Sequence, residues 1–197
     1  YYDTYIESVW WSLKQIADKG LLYKGHKVVP YCPRCGTALS SHEVAQGYME
    51  VSEFSAYVRF PVKGEKNTYL LAWTTTPWTL PSNVALCVNE KEDYCRFRHK
   101  GDTLIMASAL VPSLFSGEEG EALEMLETFQ GKHLLGMAYE PLWPVRDMKE
   151  KAFYVVADPY VSLSDGTGIV HIAPAFGEDD ARIGREHDLP FVQLVNT

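Results

Sequence analysis

Near the start of the chain, apolar residues recur at steps of three and four. Ile6, Val9, Trp10, Leu13 and Ile16 or Ala17 fall on one face of a helix, which the pattern predicts over residues 5–19. Gly20 supplies a stop signal, because helices commonly end on a left-handed residue that glycine adopts without strain. A short extended run, Lys27-Val28-Val29, is broken by Pro30 and leads into Cys32-Pro33-Arg34-Cys35-Gly36, the composition of a knuckle. From Glu53 the period changes from helical to two. Residues 54–60 and 68–75 are rich in β-formers, and 84–88, 94–99, 103–107, 152–157 and 168–171 continue the series.

Short strands separated by turn signals predict a mainly β fold closed into a β-barrel, which leaves no strand edge exposed. Short peripheral helices are expected at residues 108–115 and 178–187. The acidic stretch Glu118-Glu119-Gly120-Glu121 reads as a solvated turn. The chain therefore divides into residues 1–50, a helix and a Cys knuckle, and residues 51–197, the β-rich domain.

Composition narrows the partners. The 197 residues are 46% hydrophobic, enough for one well-buried core. No run of about 18 apolar residues occurs, so no membrane span is expected. Tyr1-Tyr2-Asp3-Thr4 has neither the basic nor the apolar region of a signal peptide. The absence of an initial Met suggests a piece of a longer protein. Net charge is −8, with 18 Lys and Arg against 26 Asp and Glu. Gripping many phosphates calls for a cationic surplus, so broad duplex binding is not expected, whereas contact with one nucleic-acid end needs few cations. The four cysteines, Cys32, Cys35, Cys87 and Cys95, fit a reducing cytoplasmic setting, in which Cys-x-x-Cys signals metal or redox chemistry.

Three constellations carry chemistry. Cys32 and Cys35 can chelate one face of a tetrahedral zinc but supply two of four ligands. His26 and His42 lie nearby in sequence; the alternatives are completion by residues of a longer protein, a redox dithiol or a fortuitous pair. The second constellation is Trp73-Thr74-Thr75-Thr76-Pro77-Trp78-Thr79-Leu80-Pro81-Ser82-Asn83. It reads either as ordinary strand threonines or as a rigid loop presenting hydroxyls and a carboxamide to a water or a ribose. The third runs from Asp165-Gly166-Thr167-Gly168 through His171 and Pro174 to Gly177-Glu178-Asp179-Asp180. Glu178 and Asp179 suit the start of a helix. Asp180, one step further in, is placed to face back over the strand end, where a carboxylate suits an ammonium ligand. His171 reads as a structural histidine or a pocket residue.

Together, the second and third constellations resemble the editing domain of isoleucyl-tRNA synthetases, the insertion called connective peptide 1 in a class I catalytic fold. The likeness extends to Tyr5-Ile6-Glu7-Ser8-Val9-Trp10-Trp11 and Tyr31-Cys32-Pro33-Arg34-Cys35-Gly36, which look like the segment leaving the catalytic core. Valyl and leucyl relatives typically carry Arg where Thr76 stands, so Thr76-Pro77-Trp78 favours the isoleucyl branch.

The resemblance implies a β-barrel hydrolase that removes valine wrongly attached to the isoleucine tRNA and cleaves valyl-adenylate. One missing methylene is worth only about 1–3 kcal/mol of discrimination, an argument for which isoleucyl enzymes are themselves the standard illustration. By the same resemblance, Asp180 holds the substrate ammonium. Thr74, Thr75, Thr76 and Thr79 wall the amino acid and the attacking water, and Asn83 is tied to editing. His171 narrows the pocket, Trp78 borders the terminal adenosine, and Ala173, Pro174 and Phe176 complete the substrate surface. The implied partners are the 3′ aminoacylated end of the tRNA, valyl-adenylate and the rest of the synthetase chain, with the protein a monomer in the cytoplasm. Editing calls for no cofactor. The resemblance implies an ATP site in the absent catalytic domain, since no His-x-Gly-His or Lys-Met-Ser-Lys-Ser signature occurs here. It implies a structural zinc at Cys32 and Cys35 only in the longer protein, since the partner Cys-x-x-Cys is also missing. The competing readings are a valyl- or leucyl-type editing domain and a non-catalytic barrel that docks tRNA ends.

Overall fold

A computed structural model of the chain describes residues 2–116, 123–143 and 151–194. Helix α1 (Asp3–Asp18) forms where the apolar spacing places it, and Gly20 takes φ +70° just beyond its end. No residue of α1 is buried, so its apolar stripe has no cover within the described chain. Strands β1 (Tyr31–Cys32) and β2 (Thr37–Ala38) pair antiparallel around the Cys32–Cys35 turn. Helix α2 (Ser41–Ala45) follows, absent from the sequence reading although its signal was there. Ser40 caps the Glu43 N–H and the Glu43 carboxylate returns to the Ser40 N–H at 2.8 Å, a reciprocal capping box.

The rest of the chain builds β3 (Ala56–Pro61), β4 (Thr68–Thr74), a 3-10 turn at Pro77–Ser82, β5 (Ala85–Val88), β6 (Asp93–His99) and β7 (Asp102–Ala107). After the short helix α3 (Val111–Phe115) come β8 (Glu124–Gln130), β9 (Tyr154–Ala157), β10 (Val170–Ile172) and α4 (Glu178–Glu186). The seven expected strands are all present. β8 was not foreseen, because it is exposed along nearly its whole length and carries no apolar alternation. The acidic stretch 118–121 lies outside the described residues.

The expected closed barrel is not what forms. The strands make one curled sheet in the order β8-β6-β7-β4-β10-β5-β9, with β3 on the other side of β4, and parallel and antiparallel pairs are mixed. Two single bridges, Val62 to Tyr139 and Ala138 to Tyr154, span the opening in place of a continuous ladder. The reason lies at β4. Its even-numbered positions bond β3, as in the Val62 N–H to Thr68 O bond. Its odd-numbered positions are shared, Asn67 O accepting from Thr103 at one end and Trp73 N–H donating to Ile169 O at the other. One strand edge thus serves both β7 and β10, and the sheet forks into two leaves. The product is a half-barrel in a mixed α/β fold.

Two cores lie against the sheet, and β5 and β9 serve both, Leu86, Val88 and Val155 facing the larger and Ala85, Cys87 and Val156 the smaller. The larger contains Phe60, Leu70, Tyr94, Phe97, Ile105 and Tyr139; the smaller joins Val84, Ala85, Cys87, Val156, Val161 and Ile172 to Ile183 and Leu189 at the far end of the chain. Burying an aliphatic side chain such as Ile183 contributes about 1.5–3 kcal/mol, which fixes α4 against the sheet just where β10 ends.

Candidate active site

The first wall of the site is the end of β4. Thr74 is buried, and its Oγ1 accepts the Thr76 backbone N–H at 3.0 Å, turning the chain out of the strand. Pro77 then starts the 3-10 turn, where its missing N–H costs nothing. Inside that turn the Thr79 hydroxyl donates to the Thr76 carbonyl at 2.8 Å. Thr75 and Thr76 are left exposed beside the buried pair Thr74 and Thr79.

The second wall comes from the other end of the chain. Gly166 takes φ +77°, and a Cβ there would sit 2.7 Å from Cε3 of Trp73, so the Gly-Thr-Gly turn lies flat on the indole. Val170 pairs with Trp73, aligning β10 beside β4. After Ile172 the chain turns into α4, and Asp180 reaches back so that its Oδ1 accepts the Ala173 N–H at 2.8 Å.

These two walls enclose a cavity of about 200 Å³, lined by Trp73, Thr74, Thr75, Thr76, Thr79, Val170, His171, Ala173, Phe176 and Asp180. Eight of these residues were singled out from sequence. Trp73 and Val170 were not, although they open and interrupt the very motifs quoted; a strand register linking the two segments was the missing information. Trp78 stands at the mouth, largely exposed, edge-on to Phe176 with ring centroids 5.3 Å apart.

Two expected residues lie elsewhere. Asn83 is buried away from the cavity, its Nδ2 donating to Ala85 O at 2.8 Å and its Oδ1 accepting the Tyr139 hydroxyl at 2.6 Å. Pro174 lines a larger cavity of about 490 Å³ on the far side of α4, with His26, Val28, Gly184 and Phe191 among its neighbours. That space lacks the threonines, which line the smaller cavity.

Charge in the smaller cavity is unusual. Burial pushes the Asp180 carboxyl above its ordinary range, with Asp179 adding to the rise. No ion pair is formed by Asp180 among the described residues, and its hydrogen bonds do not cancel the cost of burial. His171 Nε2 lies 2.9 Å from Thr79 Oγ1. The same hydroxyl lies 2.8 Å from the Thr76 carbonyl, and the other ring nitrogen, Nδ1, is buried with no partner among the described residues. Burial pushes the His171 pKa down to about 4, so the ring is neutral at physiological pH. A half-buried carboxylate with no cation partner among the described residues thus shares this cavity with a hydroxyl wall and a neutral imidazole, chemistry that suits a cationic ligand.

The knuckle was tested separately. Cys32 is half-buried, Cys35 is exposed, and the Cys35 N–H points to Cys32 Sγ at 3.4 Å. Hydrogen bonds from the Cys35 backbone and thiol and from Arg34 lower the Cys32 thiol. No set of three His, Cys, Asp or Glu side chains gathers anywhere among the described residues. His42 instead contacts Gln46, and His26 stacks on Phe191. Cys32 and Cys35 are two of the four ligands a tetrahedral zinc takes, and no third stands with them among the described residues.

Comparison with known proteins places these features. A family model described as tRNA synthetases class I (I, L, M and V) matches residues 1–167. The isoleucine–tRNA ligase of Clostridium acetobutylicum is 62% identical over 196 residues, spanning 100% of this chain and 18% of that protein. That of Thermus thermophilus is 52% identical over 198 residues, spanning 98% of this chain and 18% of that protein. The chain thus corresponds to under a fifth of the length of these relatives. Among solved structures, the editing domain of the P. knowlesi cytosolic leucyl-tRNA synthetase matches with a TM-score of 0.55 at 16% identity, over 73% of this chain and 67% of that one. The structure described as GlLeuRS-CP1 matches with a TM-score of 0.52 at 21% identity, over 62% and 46%. At such identities the likeness concerns fold. The chain therefore belongs to the class I tRNA synthetases, within them to the isoleucine–tRNA ligases, and folds as their leucyl counterparts' editing domains do.

Proposed function

We propose that this chain is an editing hydrolase that removes valine from mischarged isoleucine tRNA and cleaves valyl-adenylate. The observation that supports it is Asp180, a half-buried carboxylate with no cation partner among the described residues, lining a cavity of about 200 Å³ together with four threonines.

In this reading the substrate ammonium supplies the counter-charge that burial denies Asp180, and its arrival draws the carboxyl into its ionised form. The ion pair fixes the amino acid, and the reacting ester then lies against the threonine wall. Thr79 is committed to the Thr76 carbonyl and to His171, and the Thr74 and Thr76 hydroxyls contact one another. The exposed Thr75, with Thr76 beside it, is therefore the hydroxyl left to hold the water. That water attacks the ester carbonyl, and collapse of the tetrahedral adduct returns the ribose hydroxyl and frees valine. His171 narrows the pocket without repelling the ammonium, because burial keeps it neutral. Trp78 and Phe176, edge to face at the mouth, offer a platform for the terminal adenine.

The rest of the synthetase holds the body of the tRNA, which accounts for a net charge of −8 on a piece that meets only the acceptor end. The reaction as proposed uses no cofactor. Zinc at Cys32 and Cys35 and the ATP site would be completed by the longer protein, a monomer of the cytoplasm. The test is deacylation of valine- and isoleucine-charged isoleucine tRNA by the chain at high concentration. Valine should be released and isoleucine retained; equal release of both, or of neither at saturating protein, overturns the reading.

A further inference from the structure

Asp180 and Arg182 stand two positions apart on α4, about 200° around the helix from one another. Asp180 faces the threonine-lined cavity, and Arg182 reaches the turn that follows β9. There Nη1 lies 2.7 Å from Asp158 Oδ2 and Nη2 3.1 Å from Asp158 Oδ1, a two-pronged pair. Asp158 is 8% exposed and is itself held from behind. Its backbone N–H donates to Val88 O at 3.0 Å, and its Oδ1 accepts the Tyr160 N–H at 2.9 Å. Between Asp180 and the end of the helix, Ile183 is fully buried in the smaller core. A nine-residue helix with one deep apolar anchor can roll about that anchor. A planar fork gripping a fixed carboxylate on the opposite side from the cavity stops the roll.

We infer that Asp158 and Arg182 are positioning residues of the editing site: their pair sets the rotation of α4 and so aims the Asp180 carboxylate at the substrate ammonium. This rests on the role given to Asp180 above. Arg182 also meets Asp179 and Glu186 at 3.2 and 3.3 Å, but both lie on the exposed face of the same helix and cannot orient it against the sheet.

The test compares two tRNA esters with one carbon skeleton, valyl and isovaleryl, the second lacking the α-amino group. Single-turnover hydrolysis is measured for the chain, Asp158→Asn and Arg182→Lys, each well below its melting temperature. Arg182→Lys keeps the charge but cannot form two parallel bonds, and it decides the matter alone if Asp158→Asn fails to fold. A misplacement of about 1 Å costs about a hundredfold in rate. Asp158→Asn should therefore lose about tenfold to a hundredfold on the valyl ester, with Arg182→Lys between it and the parent and isovaleryl hydrolysis unchanged. Adding Asp158→Asn to Asp180→Asn should cost nothing further. Equal loss on both esters, or an undiminished valyl preference in the variants, overturns the positioning role alone. A parent chain that shows no valyl preference beyond that of Asp180→Asn overturns the Asp180 reading, and the positioning role with it.

Discussion

His171 Nε2 and Thr79 Oγ1 meet at 2.9 Å across 92 positions of sequence. Their contact joins the threonine-rich turn to the strand that follows the Gly-Thr-Gly turn. The ring stays neutral because it is buried.

That neutrality has a cost in acid. The folded His171 pKa is about 4, against an ordinary value of 6.5, so protonation favours the unfolded chain. Stability is fully present above about pH 6.5 and is lost as pH falls toward 4, by up to about 3 kcal/mol. His171→Gln should remove most of this acid sensitivity. Urea unfolding at pH 7 and at pH 4.5 measures it; a parent and a variant with the same pH slope would contradict the assignment.

Asp180 has the opposite sign. Its folded carboxyl is raised, so the ionised group costs stability above that raised value, and the cost is relieved as pH falls through it. Asp180→Asn should melt at or above the parent temperature at neutral pH, since the amide oxygen keeps the Ala173 bond. Deacylation should nonetheless drop by about two to four orders of magnitude, the loss expected when a desolvated ion pair is broken. Asp180→Ala should be equally inactive. Near-parental turnover in a variant that melts normally would remove the ammonium role.

Asn83 should act through Tyr139. The 2.6 Å bond between them lies in the larger core, away from the cavity. Asn83→Ala and Tyr139→Phe should each cost about 1–3 kcal/mol, the range for leaving a buried polar partner unpaired. The double variant should cost less than their sum, and a denaturation cycle over the four proteins reads the difference. Full additivity would separate the two residues.

Gly166→Ala tests the second wall. At φ +77° with a Cβ 2.7 Å from the Trp73 ring, alanine must move the indole or the turn. A loss of about 1–3 kcal/mol is expected from the backbone alone, together with weaker deacylation as Trp73 shifts. Parental melting and activity would mean that the turn is free to relax.

The knuckle should bind zinc weakly in this chain. Two thiolates leave two coordination positions without a protein ligand among the described residues. Metal analysis of purified protein reads this directly. One tightly held zinc per chain, lost in Cys32→Ser, would show further ligands at work.

Local patterns of the sequence already determined a good deal. Period-two alternation located β3 to β7, β9 and β10, and three-and-four spacing located α1, because those periods are set within a few residues by which face meets the core. The threonine run and Asp180 stood out as candidates for the same local reason: hydroxyls on a proline-broken turn, and a carboxylate in a first helical turn. What depended on pairing was decided only by the tertiary structure. β8 carries no apolar alternation and exists as a strand through its bonds to β6. The sheet forks because one edge of β4 is divided between β7 and β10, a competition that neither segment encodes alone. Asn83 turned toward Tyr139 and Pro174 toward the far side of α4, since a side chain's direction at a turn follows the packing around it. The distance between Trp73 and Val170, nearly a hundred positions in sequence and adjacent in register, is what turns two motifs into one cavity.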